Sequence, residues 1–304
     1  MGGGTPTMPA MGECKYTPWR LCEPEVRVAS AEMLGLLLRG GQAFRWKVAG
    51  REGVFCGVFA DCVAQLRQGP CGRLQWRCPT AIEARVAAAL PVYLDAHRDY
   101  DAARDCLPWR SDSVLTAAMR VLPGLRLLKQ PFAETLLCYL CSSTKRIEQI
   151  RVGCDAMAER FGEALAGGAH ALPTWERLAG VSEEQLRGCG LGYRARYITA
   201  TARSLAACPC WLAETEHLPF AEARERLMGL PGVGGKIADC VLLYGGGVFE
   251  AFPTDTWILQ AMARRYGLSG WKPEQVAQFG RVHFGPFAGL AQQYVFEAER
   301  LGRL

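Results

Sequence analysis

Two side chains of opposite charge lie close to a glycine-rich turn. Lys236 follows Leu230-Pro231-Gly232-Val233-Gly234-Gly235, and Asp255 stands nineteen positions further on, within Pro253-Thr254-Asp255. A neutral amine is a nucleophile, and a carboxylate stabilises positive charge developing on a reacting carbon. Lys236 is followed by Ile237, Ala238, Cys240 and Val241, a largely apolar setting that favours the uncharged amine. Glycines let a backbone approach a ligand, and the unpaired amides at a helix start attract phosphate oxygens. An amine at 236 therefore stands beside any phosphodiester gripped by the amides around Gly232, Val233 and Gly234. Leu-Pro-Gly alone is an ordinary corner, in which the glycines only turn the chain. Asp255 also has a bland alternative, because after Pro253 it occupies the place of a helix N-cap. Asp239, three residues past Lys236, is expected to hold the hairpin locally.

The elements that must position these groups are legible from periodicity. Phe220, Ala223, Leu227 and Leu230 form one helical stripe, and Ile237, Val241 and Tyr244 form another. The spacing predicts a helix, a hairpin at 230–236 and a second helix opening near Lys236. Earlier in the chain the pattern is short and alternating. Strands are expected over Glu25–Ala29, Gln42–Val48, Val54–Phe59, Cys62–Leu66 and Leu74–Cys78, separated by short turns as antiparallel neighbours would be. Helices are expected over Glu32–Leu38 and over Ile82–Tyr93, the latter broken at Pro91. Near Trp109 long helical patterns take over, with Ile147–Phe161, Ser182–Leu186, Tyr197–Leu205, Ile258–Tyr266 and Gly289–Arg300. The fold class is α+β. A Gly- and Pro-rich, disordered stretch over 1–13 precedes an antiparallel β-rich domain over 14–110 and a mostly α-helical region over 111–304.

Composition narrows the function classes. The chain has 304 residues, half of them hydrophobic, enough for a large core and two domains. The net charge of +5 gives no polycationic tail, although a duplex binder can concentrate its positive charge on one face. Fourteen cysteines in a long chain without a signal peptide do not make a secreted disulfide framework. A reducing compartment, nucleus or bacterial cytoplasm, is expected. No apolar run approaches the roughly 18 residues of a membrane span. Cys138-x2-Cys141 and Cys208-x-Cys210 have no partner pair at ligand spacing, so they read as buried or incidental thiols and no metal is expected.

The string L-P-G-V-G-x-K-x-A-D followed by P-x-D resembles the helix–hairpin–helix of the base-excision DNA glycosylases, and among them the 8-oxoguanine DNA glycosylases. The resemblance covers most of the chain from about Leu34. It implies that Lys236 is a Schiff-base nucleophile and Asp255 the electrostatic and proton-shuttling carboxylate, with no cofactor needed for the chemistry. Gly40-Gly41-Gln42-Ala43-Phe44-Arg45-Trp46 is similar to the family's G-Q-x-F-R-W segment, whose Gly offers its carbonyl to N7–H of the lesion. Gly285–Gln292 looks like the family's last-helix motif, in which Gln292 reads the Watson–Crick edge and Phe296 stacks on the flipped base. Cys240 matches the thiol on the opposite face. Without the resemblance, Phe296 and Cys240 read as core residues. Gly190–Tyr197 matches the wedge loop, so Tyr193 would enter the stack and Arg194 would bond the orphaned base; read alone, the segment is a solvated Arg-rich helix start.

Several positions depart from the family's pattern. Thr144-Lys145-Arg146 replaces a run of asparagines, Gln149 stands where a second orphan-base arginine belongs, and Trp257 replaces a phosphate-binding His. The four-Cys iron–sulfur loop of some relatives is absent, since Cys240 is the last cysteine. The expectation is a monomeric, bifunctional 8-oxoguanine DNA glycosylase/AP lyase acting on double-stranded DNA, with no membrane partner. The alternatives are a sister glycosylase for other oxidised or alkylated bases and a non-catalytic helix–hairpin–helix DNA-binding protein.

Overall fold

A computed structural model describes residues 15–50 and 53–304; the stretch 1–13, expected to be disordered, lies outside them. Five strands form one antiparallel sheet in the order β1-β5-β4-β3-β2. They are β1 Arg20–Leu21, β2 Trp46–Val48, β3 Val54–Phe59, β4 Cys62–Gln68 and β5 Leu74–Arg77. Along β3 every second residue is buried, and the register sets Phe55 opposite Leu66 and Phe59 opposite Cys62. Ala60 and Asp61, with φ of 44° and 58°, make the tight two-residue turn that suits the strands' twist. Gly57 pairs with Trp46, and any Cβ there would collide with the indole. That opening lets the fully buried Trp46 lie across the sheet and donate from Nε1 to Tyr93 Oη at 2.8 Å.

Three expectations need correction. Glu25–Ala29 is not a strand; Arg27 makes a single bridge to Arg73. Its alternation is real, since Val26 and Val28 are buried, but β1 already occupies the edge of β5. The strand expected over Gln42–Val48 begins only at Trp46. Gln42 instead turns its buried side chain outside the sheet, donating to Arg126 O and accepting from Leu128 N. Pro91 does not break its helix, which runs Glu83–Tyr93. It lies in the last turn, so the one bond it forgoes, to the Ala87 carbonyl, falls at the helix end.

One core lies under the sheet and includes Leu34, Trp46, Phe59 and Leu90. A larger one joins the helices and takes in Met33 and Phe44 from the N-terminal region. Within the larger core, the helix Phe132–Leu140 is buried over most of its length and packs against the helix Gly235–Tyr244, with Tyr139 and Tyr244 stacked at 5.7 Å. Each of these two helices delivers a group to the same place: the first ends just before Ser142, and the second carries Lys236. No described helix is long and apolar enough to cross a membrane.

Candidate active site

The hairpin forms as the spacing predicts. The helix Phe220–Met228 ends at Gly229, and the helix Gly235–Tyr244 starts after Gly234. Gly232 has φ +81°, and a Cβ there would run into the Tyr197 side chain. Gly234 is the N-cap and offers no side chain to the helix's first amides, which therefore keep their donors for a ligand. Val233 is buried, and its amide closes the turn by donating to Leu230 O at 3.1 Å. Asp239 does hold the hairpin: its Oδ1 accepts from Arg224 Nε at 2.7 Å across the two helices.

Lys236 Nζ donates to Ser142 Oγ at 3.0 Å and lies 5.1 Å from the Tyr139 ring centroid. Ser142 Oγ in turn donates to Tyr139 O at 2.7 Å, leaving a lone pair for the amine. Asp255 caps the helix Thr256–Tyr266, its Oδ1 accepting from Ile258 N at 2.9 Å. Burial raises its pKa above the ordinary carboxylate value, against the pull of the Ile258 amide and Lys236. Burial likewise pushes the Cys240 thiol up to about 12, although Lys236 draws it down. Cys240 is therefore a neutral, polarisable wall.

All of these groups line a cavity of about 890 Å³, together with Gly41, Gln292, Phe296, Thr144, Gln149 and Trp257. Gly41 has φ +116°, a region that favours glycine, and its carbonyl accepts from Tyr139 Oη at 2.9 Å. Gln292 is buried; its Nε2 donates to Pro253 O at 3.1 Å, while its Oε1 finds no hydrogen-bond partner. A buried acceptor left unpaired costs roughly 1–3 kcal/mol, so this oxygen suits a ligand that donates. Phe296 stands one turn beyond Gln292 on the last helix, Ala288–Arg300. An amine, a carboxylate, buried acceptors and apolar walls thus meet in one space. That set can hold a flat, donor-bearing ring and attack a carbon beside it.

At the rim stand two loops. Tyr193 is 44% exposed, whereas Arg194 is 5% exposed. Its guanidinium bonds Ser143 O, Thr144 Oγ1 at 2.7 Å and Leu191 O at 3.1 Å. Lys145 Nζ donates to Gly190 O at 2.5 Å, and Thr144 Oγ1 lies 3.4 Å from Tyr193 Oη. These bonds hold Thr144 at φ +54°, a strained conformation for a β-branched residue. Gln149 lines the cavity, but its Oε1 accepts from Arg146 N at 3.0 Å.

Residues 28–136 match the 8-oxoguanine DNA glycosylase N-terminal domain, and residues 140–284 match the HhH-GPD superfamily base excision DNA repair protein. The chain is 32% identical to the N-glycosylase/DNA lyase OGG1 of Arabidopsis thaliana, over 95% of this chain and 81% of that one. It belongs to the 8-oxoguanine DNA glycosylase family. Within that family, the 8-oxoguanine glycosylase/lyase of Clostridium acetobutylicum is 28% identical, and its structure was solved with double-stranded DNA containing cytosine opposite 8-oxoguanine. That structure superimposes with a TM-score of 0.81, covering 89% of this chain and 92% of the other. MBOgg1, solved with a low-affinity DNA ligand, gives 0.83 at 28% identity, covering 94% and 99%.

The family's motifs did not point to Tyr139 and Ser142, which touch Gly41 and Lys236. A tyrosine inside the mostly apolar stretch 136–140 was the available signal, since a buried hydroxyl needs a partner. The cysteines among the described residues are free thiols. Cys138 and Cys141 are buried, with Cys154 Sγ 3.7 Å from Cys138 Sγ, while Cys208 and Cys210 are exposed.

Proposed function

We propose that this protein is a bifunctional DNA repair enzyme that flips 8-oxoguanine out of double-stranded DNA, excises it and nicks the abasic strand. One observation carries the reading: Lys236, Asp255, Gly41 and Gln292 line a single cavity. Phosphate grip alone needs no such set, which argues against a non-catalytic DNA-binding module. The acceptors Gly41 O and Gln292 Oε1 suit the N–H groups of an oxidised purine, and they argue against a sister glycosylase for other bases. Unmodified guanine carries a lone pair at N7, which the Gly41 carbonyl repels.

In this reading the hairpin amides around Gly232, Val233 and Gly234 hold a backbone phosphate, and Tyr193 fills the stack as the base leaves it. Phe296 and Cys240 sandwich the base. Lys236 Nζ attacks C1′ as the N-glycosidic bond breaks, and the base departs with a proton. Asp255 offsets the positive charge developing on the sugar. The C1′–O4′ bond of the resulting aminal then breaks, O4′ taking up a proton, and leaves a Schiff base that acidifies the C2′ proton; removal of that proton expels the 3′ phosphate and opens the strand. Arg194 reaches the orphaned base only by exchanging its bonds to the Ser143–Thr144 loop, and Thr144 and Gln149 face the same side. We further assign residues 14–110 and 111–304 to two domains of a monomer working in a reducing, DNA-containing compartment.

Borohydride trapping on duplexes carrying 8-oxoguanine tests the reading. Wild-type protein is expected to form a covalent adduct, and Lys236→Gln to form none while still binding the lesion. An adduct at the wild-type rate in the variant removes Lys236 from the chemistry. An adduct only on alkylated-base duplexes favours the sister glycosylase.

A further inference from the structure

Tyr139 touches both ends of the reaction. It is buried on the Phe132–Leu140 helix, and its hydroxyl donates to Gly41 O at 2.9 Å, with Gln42 O at 3.4 Å. A peptide carbonyl carries two acceptor lone pairs; Tyr139 fills one and leaves the other for the cavity. Gly41 has no side chain to anchor its peptide, and its φ of +116° is open to few other residues. Part of its orientation must therefore come from outside. The face of the same tyrosine ring lies 5.1 Å from Lys236 Nζ, and its own carbonyl accepts from Ser142 Oγ, which accepts from the amine.

We infer that Tyr139 is a positioning residue for lesion discrimination: its hydroxyl aims the Gly41 carbonyl at the base while its ring and carbonyl seat the nucleophile. This rests on the reading of the cavity as an 8-oxoguanine site. The hydroxyl and the ring then have separable effects. The hydroxyl serves only base recognition, so its loss weakens excision but spares chemistry at a site that has already lost its base. The ring serves the amine, so its loss weakens both.

Tyr139→Phe separates them with little change of shape. Single-turnover excision of 8-oxoguanine is expected to fall about three- to tenfold relative to nicking of a preformed abasic duplex, the size of one neutral hydrogen bond. In a Lys236→Gln background, the binding preference for 8-oxoguanine over guanine duplexes is expected to narrow by a similar factor. Tyr139→Leu is expected to slow excision and nicking alike. The inference is overturned if Tyr139→Phe lowers excision and nicking in proportion, or moves neither the rate ratio nor the binding ratio. Wild-type protein that fails to excise 8-oxoguanine sinks the underlying reading instead.

Discussion

Asp255 serves as helix cap and proposed counter-charge with one carboxyl group. Asparagine caps helices about as well as aspartate, so Asp255→Asn should melt within a few degrees of wild type yet excise slower by orders of magnitude. Thermal melts beside single-turnover rates separate the two roles, and undiminished excision in a well-folded variant removes Asp255 from the mechanism. Because burial raises the Asp255 pKa, the active carboxylate protonates sooner on acidification than an ordinary aspartate. Excision should fall on an acid limb above the usual carboxylate range, and that limb should vanish in Asp255→Asn. Gln149 is neutral and already bonded to Arg146 N, so it is expected to read the orphaned base weakly. Excision opposite adenine, guanine or thymine should lie within roughly tenfold of the cytosine pair, about 1.4 kcal/mol, and Gln149→Arg should widen the gap. A wild-type preference of hundreds-fold would contradict this. Lys236 and Asp255 were legible because one local string fixes both. Tyr139 and Ser142 were not, since their partners lie 98 and 94 positions away. Arg194 was expected to face solvent or DNA, as arginines usually do, and its burial is set by a neighbouring loop.

The hairpin's two helices are clamped by Arg224, which reaches Asp239 Oδ1 through Nε and Glu274 Oε2 through Nη2, each at 2.7 Å. A Cβ on Gly235 would collide with the Arg224 and Glu274 side chains, so the glycine makes room for the clamp as well as for phosphate. Asp239 is 1% exposed, and burial pushes its carboxyl up to about 6 despite Arg224. Arg224→Ala leaves that carboxyl buried without its partner, which should cost about 3–5 kcal/mol at neutral pH. Adding Asp239→Asn should recover much of the loss. Denaturant titrations of the single and double variants decide it, and a single-variant loss under about 1 kcal/mol would show the clamp to be idle. At this scale the helices flanking the hairpin were legible from their 3.6-residue stripes, but Phe132–Leu140 was not expected, because it is buried nearly all round and shows no polar face. The strands over Gln42–Val48 and Glu25–Ala29 were misjudged because strand pairing depends on which edge is free.

Across the whole molecule, the last helix meets the N-terminal region at Glu297, which is fully buried. Its Oε1 accepts from Gln293 Nε2 at 3.1 Å and its Oε2 from Arg300 Nε at 3.0 Å, and a Cβ on Gly40 would overlap the carboxylate. Burial pushes the Glu297 carboxyl from 4.5 up to about 7. A raised folded pKa favours the protonated group in the folded state. The corresponding stability is complete below about 4.5 and is lost as pH rises through about 7, amounting to roughly 3 kcal/mol. Denaturant midpoints measured across that window should fall, and Glu297→Gln should flatten the slope; a variant that keeps the full slope rules Glu297 out. The two-part architecture was legible from the change of pattern near Trp109, whereas the bonds across it were not. Those bonds have a practical consequence. The Gly41 carbonyl lies between β1 and β2 in the chain, and the Lys236 amine stands far beyond the sheet. Tyr139 links the two, and only folding brings them together. On that inference, a molecule that loosens there should not become a careless cutter of healthy strands, but should lose its judgement and its blade in the same event. For a protein that opens DNA, that is a fail-safe.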